Sequence, residues 1–134
     1  MTLKSNAVTN NATTQHIERL PALQHLLLNK FYRSHASRMR ASPEAEAWIV
    51  RNPVIIAGLC MTPVAEGYWL TGLFVAPEYR KHGVAQHLLQ HIQRSHSTSP
   101  IWLFCHPDLV SFYQQSGFRT AQQLPEQLEN RLSR

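Results

Sequence analysis

Cysteine is scarce in this chain, with only Cys60 and Cys105 among 134 residues. The two stand far apart and show no metal-ligand spacing, so a zinc module and a small disulfide scaffold are both excluded. Reduced core thiols are expected, a core disulfide being the lesser alternative. Long apolar runs are missing as well; none approaches the roughly 20 residues that a membrane-spanning helix needs. The opening stretch MTLKSNAVTNNATTQ has no apolar segment of the secretory kind, so a cytoplasmic protein with no membrane partner is expected. Acidic residues are also few, 8 against 13 Lys and Arg, for a net charge of +5. Such a field favours an anionic ligand but does not choose among nucleotide, nucleic acid and acidic surface.

What is present describes a globular domain. With 43% apolar and 16% charged residues, a chain of this length can bury a core unaided. Residues 1–15 are polar and aperiodic, which predicts a tail or a weak first strand. Residues 16–134 are expected to form a single domain. From Leu20 the positions Leu20, Leu23, Leu27 and Phe31 share one helical face, and Pro21 suits a first turn, which predicts a helix. The basic stretch Lys30 to Arg40 continues that pattern and reads as a solvated helix face. Three strand signals follow: Ala47 to Val50, Val54 to Met61, and Tyr68 to Val75. The turns between them are short, which implies an antiparallel meander.

After Pro77 the apolar period changes from two to about 3.6. Ala85, Leu88, Leu89 and Ile92 stripe one helix. Ile101 to Cys105 forms a short strand, and Leu109, Phe112 and Tyr113 stripe a second helix that Gly117 closes. Phe118 to Ala121 is a last strand, and the remaining LPEQLENRLSR looks helical. The expected fold class is therefore α/β (α+β), a mixed and mainly antiparallel sheet flanked by helices.

The strand-to-helix passage at VAPEYRKHGVAQHLL carries the chemistry. A helix that opens after a short loop presents unpaired N–H groups, and with the macrodipole these make an anion seat. Gly83 lets the backbone approach a ligand closely, Ala85 keeps the first turn small, and Arg80 and Lys81 add charge. Neither a Walker A loop nor a dinucleotide fingerprint is present. The pattern Val75-x-Pro77-x-x-Arg80-x-x-Gly83-x-Ala85 resembles the pyrophosphate-cradling motif A of the GNAT acyltransferases. The segment LVSFYQQSGF, residues 109–118, is similar to that family's motif B. Together the two matches cover residues 68–121.

The resemblance implies acetyl-CoA as cosubstrate, with no metal. Its diphosphate would rest on Arg80, Lys81, His82, Gly83, Val84 and Ala85, and its pantetheine on backbone groups of Leu73, Phe74 and Val75. The Val75 N–H would polarise the thioester carbonyl, and an amine would attack directly through a tetrahedral intermediate. Tyr113, also expected to touch the cofactor, matches the acid that protonates the departing thiolate. The family's base position holds no glutamate here. His106 and, less directly, Glu66 are the nearby candidates. Phe31, Tyr32 and Arg33, with His35 and Arg38, would line the site of a small-molecule or peptide amine.

His87 and His91 have i,i+4 metal spacing but no third ligand, and are expected on a solvated face. Little sequence remains after motif B for the usual closing hairpin. The cleft is therefore expected to be open on one side or completed by a second subunit in a homodimer. Two other functions compete with the transferase. One is a non-catalytic CoA-binding regulator on the same scaffold. The other is a nucleic-acid binder, which charge alone suggests and no RNP, zinc-finger or helix-turn-helix signature supports.

Overall fold

The computed structural model describes residues 1–5, 16–121, 124–126 and 128–129. Seven strands form one sheet in the order β2-β3-β4-β5-β6-β1-β7. The strands are β1 Thr2–Ser5, β2 His16–Leu20, β3 Glu46–Arg51, β4 Ile55–Val64, β5 Gly67–Val75, β6 Ile101–Phe104 and β7 Phe118–Thr120. Only β5 and β6 pair in parallel. The other neighbours are antiparallel. The helices are α1 His25–Ser34, α2 Val84–Ser95 and α3 Val110–Gln115. The mixed, mainly antiparallel class expected from the periodicities is the one observed.

One large core joins α2, through Leu88, Leu89 and Ile92, and α3, through Tyr113, to Leu70, Leu103 and Phe118 of the sheet. A second joins α1 to it through Leu28, Phe31, Tyr32 and Ile49. The helix expected from Leu20 starts later, because Leu20 ends β2 and a 3-10 turn, Ala22–Gln24, precedes α1. Its buried face also differs. Leu23 is 95% exposed, whereas Leu28, Phe31 and Tyr32 are buried. Leucine at 23, 26, 27 and 28 fits more than one face of a 3.6-residue period, and contact with the sheet selects among them. The basic stretch does not stay helical: α1 stops at Ser34, and Ala36 takes a φ of 59°. The second turn of the meander, expected over Pro63 to Gly67, is tighter, since β4 runs on to Val64 and β5 starts at Gly67.

The chain's first residues lie inside the sheet. In β1, Leu3 faces Leu103 of β6 on one side and Thr120 of β7 on the other, and its side chain is fully buried. Beside β6, where little sequence was expected for a closing hairpin, β1 and β7 continue the sheet from within the chain. Of the expected C-terminal helix, Glu126, Leu128 and Glu129 are helical, and Leu128 packs on Val64, Trp69 and Trp102. Residues 122, 123, 127 and 130–134 lie outside the described residues, as does most of the expected polar tail.

A polar clasp ties the end of α2 to the sheet. The Glu46 carboxylate accepts from Trp48 Nε1 at 3.0 Å and contacts His96 Nε2 at 2.9 Å; Arg19 lies 3.6 Å away. Burial works to raise the Glu46 carboxyl. The Trp48 and His96 hydrogen bonds and the His96 and Arg19 charges outweigh it and hold the group below its ordinary value. A depressed folded value adds stability above the unfolded carboxyl pKa and loses it as pH falls through the folded one. Glu46→Ala is therefore expected to cost about 2–3 kcal/mol at pH 7 in urea unfolding. The difference from the parent should shrink on acidification below about pH 4.5. An equal cost at pH 7 and in acid would deny the clasp its electrostatic part.

Candidate active site

The site begins where β5 loses a neighbour. Pairing with β6 covers only Tyr68 to Leu70 against Ile101 to Leu103. On its other edge β5 stays paired with β4 as far as Val75, opposite Ala57. A wedge therefore opens between β5 and β6 toward their C-terminal ends. Its origin is local. The β4–β5 register shifts between Gly58 and Cys60, and Gly72, in the opposing stretch of β5, has a φ of 71°. Glycine reaches that conformation without strain, and an inserted residue bends a strand. The bend is held from α1, where the Tyr32 hydroxyl donates to the Gly72 carbonyl at 2.7 Å. Burial, then the adjacent Cys60, pushes the Tyr32 phenol upward, so it stays a donor. A Cβ on Gly72 would lie 2.6 Å from that hydroxyl.

Register settles which backbone groups face the wedge. The Ala76 N–H bonds the Ile56 carbonyl at 2.8 Å, so Val75 and Ala57 oppose each other as a non-bonded pair. The Val75 N–H and C=O then point away from β4, into the wedge. Arg80 takes the carbonyl, with Nε at 2.8 Å, and lays its guanidinium 5.0 Å from the Phe74 ring centre. The Val75 N–H is left facing the wedge. By the same alternation Leu73 faces the wedge too, while Phe74 turns its backbone to Gly58 of β4.

Next along the chain a 3-10 turn, Pro77–Tyr79, leads through Arg80, Lys81 and His82 to Gly83. Lys81 has a φ of 65° and Gly83 one of 80°. The first bond inside α2 runs from the His87 N–H to the Gly83 carbonyl at 3.0 Å. No side chain caps this terminus, and its first turn contains no acid. The N–H groups of Val84, Ala85 and Gln86 are thus helix-end donors in a positive field. A Cβ built on Gly83 meets only the His87 ring, at 3.9 Å, and otherwise projects into open space. A diphosphate fits a terminus of this kind. Lys81 and His82 are exposed beside it, and Val84 turns inward to the core.

Tyr113 stands on α3, 8% exposed, between the rings of Phe112 and Phe118. Burial, then the Cys105 thiol just past β6, pushes its phenol up to about 12. Cys105 is itself buried and raised, and both cysteines are free. Neither has the depressed pKa of an activated nucleophile. His106 is exposed; its Nδ1 accepts the Asp108 N–H at 3.1 Å and so caps a 3-10 turn. Glu66 lies in the turn before β5, the whole strand away from Val75.

On the α1 side, Phe31 packs on Phe74 with ring centres 5.9 Å apart. His35 packs on both, at 4.9 and 5.4 Å. Tyr32 is fully buried, and Arg33 is exposed in the last turn of α1. Sequence reasoning passed over Tyr32 as the brace of the bend and Arg80 as the partner of Val75. A lone glycine inside a strand pattern is the available sign of such a bulge. His91 is half-buried against Trp48, at 5.4 Å, and not on an open face. No three His, Cys, Asp or Glu residues gather into a metal site among the described residues. No helix there is long and apolar enough to cross a membrane.

Comparison with known proteins agrees with this architecture. No curated protein sequence matches the chain. Solved structures do, at low identity. One from Novosphingobium aromaticivorans, assigned to the GNAT family, superposes with a TM-score of 0.67 at 16% identity, over 90% of this chain and 58% of that one. The chain thus spans little more than half the length of that neighbour. The ribosomal-protein-alanine N-acetyltransferase of Brucella melitensis gives 0.63 at 15% identity, over 84% and 96%. Glucosamine-6-phosphate N-acetyltransferase of Arabidopsis thaliana gives 0.58 at 11%, over 85% and 98%. These likenesses carry the fold. The model of the acetyltransferase (GNAT) domain matches residues 8–133, nearly the whole chain, and the protein belongs to that family.

Proposed function

We propose that the protein is an N-acetyltransferase that moves an acetyl group from acetyl-CoA to a primary amine. The observation that carries this reading is the Val75 N–H, turned into a wedge that lies beside the uncapped start of α2. Bound acetyl-CoA supplies a thioester, an acyl group already activated toward amines. The α2 terminus and Lys81 would hold the diphosphate, and the wedge-facing groups of Leu73 and Val75 the pantetheine. The Val75 N–H would donate to the carbonyl oxygen as negative charge gathers there. As the new C–N bond forms and the C–S bond breaks, Tyr113 would give its proton to the sulfur. His106 stands at the far lip of the wedge, where an imidazole could relay the proton lost by the amine through water. Two free cysteines support a cytoplasmic setting.

The acceptor would approach on the α1 side, past Phe31 and Phe74 and near Arg33. Arg80, over the Phe74 ring, adds charge to that side, and Arg38 would add more, which suits an amine that also bears a carboxylate or phosphate. In a thiol-release assay with acetyl-CoA, carboxylate-bearing amines should outperform polyamines by about tenfold, the worth of one charged hydrogen bond. Faster turnover of spermidine would overturn this acceptor class. Binding of acetyl-CoA without thiol release to any amine would favour a CoA-binding regulator.

A further inference from the structure

A second concave site lies on the other flank of α1, independent of the wedge. Between the N-terminal half of α1 and residues 40–43 is a cavity of about 530 Å³. His25, the first residue of α1, lines it and is only 8% exposed. Its ring has no hydrogen-bond partner among the described residues. Its ring nitrogens are open to the cavity, so a ligand there can bond them in place of solvent.

Other groups aim at the same space. Asn29, 6% exposed, spends its Oδ1 on the Ala41 N–H at 2.7 Å, which ties residues 40–43 to the helix. The amide –NH2 is the donor it has left. Arg40 brings an exposed guanidinium to the rim and Ser42 a hydroxyl, while no acidic residue lines the cavity. Leu26 and Pro43 supply apolar wall. A buried ring, an amide and a guanidinium favour an acceptor-rich, negatively charged head. The apolar wall favours a short hydrocarbon body behind it.

We infer that this cavity binds a small organic carboxylate with a short apolar chain. The site is set apart from the acyl-transfer centre, because the rings that pack on Phe74 from this side, Phe31 and His35, lie about 9 and 15 Å along the helix axis from His25.

Butyrate titrated into the full-length chain, with the histidine rings followed by NMR, tests this. The His25 ring signals, assigned from their loss in His25→Gln, should shift saturably at millimolar butyrate. The apparent Kd should rise about tenfold in Arg40→Gln, the loss of one charged contact. Stabilisation by acetyl-CoA should be unchanged in that variant, which shows that it is folded and that the wedge is untouched. Unmoved His25 signals in millimolar butyrate would overturn the site. Equal shifts with butyramide would overturn the need for charge, and equal shifts with inorganic phosphate the need for an apolar body.

Discussion

Gly83→Glu is expected to abolish the thermal stabilisation that acetyl-CoA gives the parent. At about 100 times its dissociation constant a ligand adds roughly 2.7 kcal/mol, a rise of about 10 °C for a domain of this size. The variant should still fold. A Cβ at Gly83 meets nothing nearer than His87 at 3.9 Å, so the packing is spared. The cost is the φ of 80°, about 1–2 kcal/mol for a residue with a side chain. Binding is another matter, since the new carboxylate would lie against the free N–H groups at the start of α2 and repel a second anion there. Gly83→Ala separates the two effects, because it bears the backbone cost without the charge and should keep part of the shift. A full shift retained in Gly83→Glu would place the diphosphate elsewhere on the chain.

Tyr113→Phe should lower turnover by about 10²–10³ while leaving that stabilisation in place, a loss of about 3–4 kcal/mol of barrier lowering. The ring contacts with Phe112 and Phe118, at 5.1 and 5.9 Å, need no hydroxyl, so the fold should lose little. A phenol pushed up to about 12 stays protonated across the working range. Tyr113 should accordingly cause no downturn in the pH–rate profile up to about pH 10. Steady-state rates of thiol release, set beside thermal shifts with acetyl-CoA, read both quantities. Unchanged turnover in the variant would leave Tyr113 as a core residue alone.

The helix-opening turn was legible in sequence for a physical reason. The apolar period switches from two to 3.6 across Pro77, and Gly83 falls where a strand must become a helix. The flank of α1 was not, because leucines at 23, 26, 27 and 28 offer several stripes and His25 and Asn29 take buried positions. The place of Thr2–Ser5 was hidden for a different reason. TLKS has one apolar residue, and a slot between two distant strands, not its own pattern, decides where it goes. The direction of the Val75 N–H depends on a register shift at Gly72, one residue of slip that pattern alone does not reveal. The motif could therefore be found in sequence, but the donor it serves could not.

The position of β1 also bears on how the molecule comes into being. Leu3 pairs with residues about a hundred positions further along, Leu103 and Thr120. During synthesis β1 emerges well before either of its partners. The β2–β5 meander can assemble as it leaves the ribosome, but β1 has no place until β6 and β7 follow. Contacts of such long range slow folding, because the intervening chain must be closed before they form. The half of the sheet that builds the wedge is thus completed only when the two ends of the described chain meet, and capacity to bind the cofactor should appear late, with that closure.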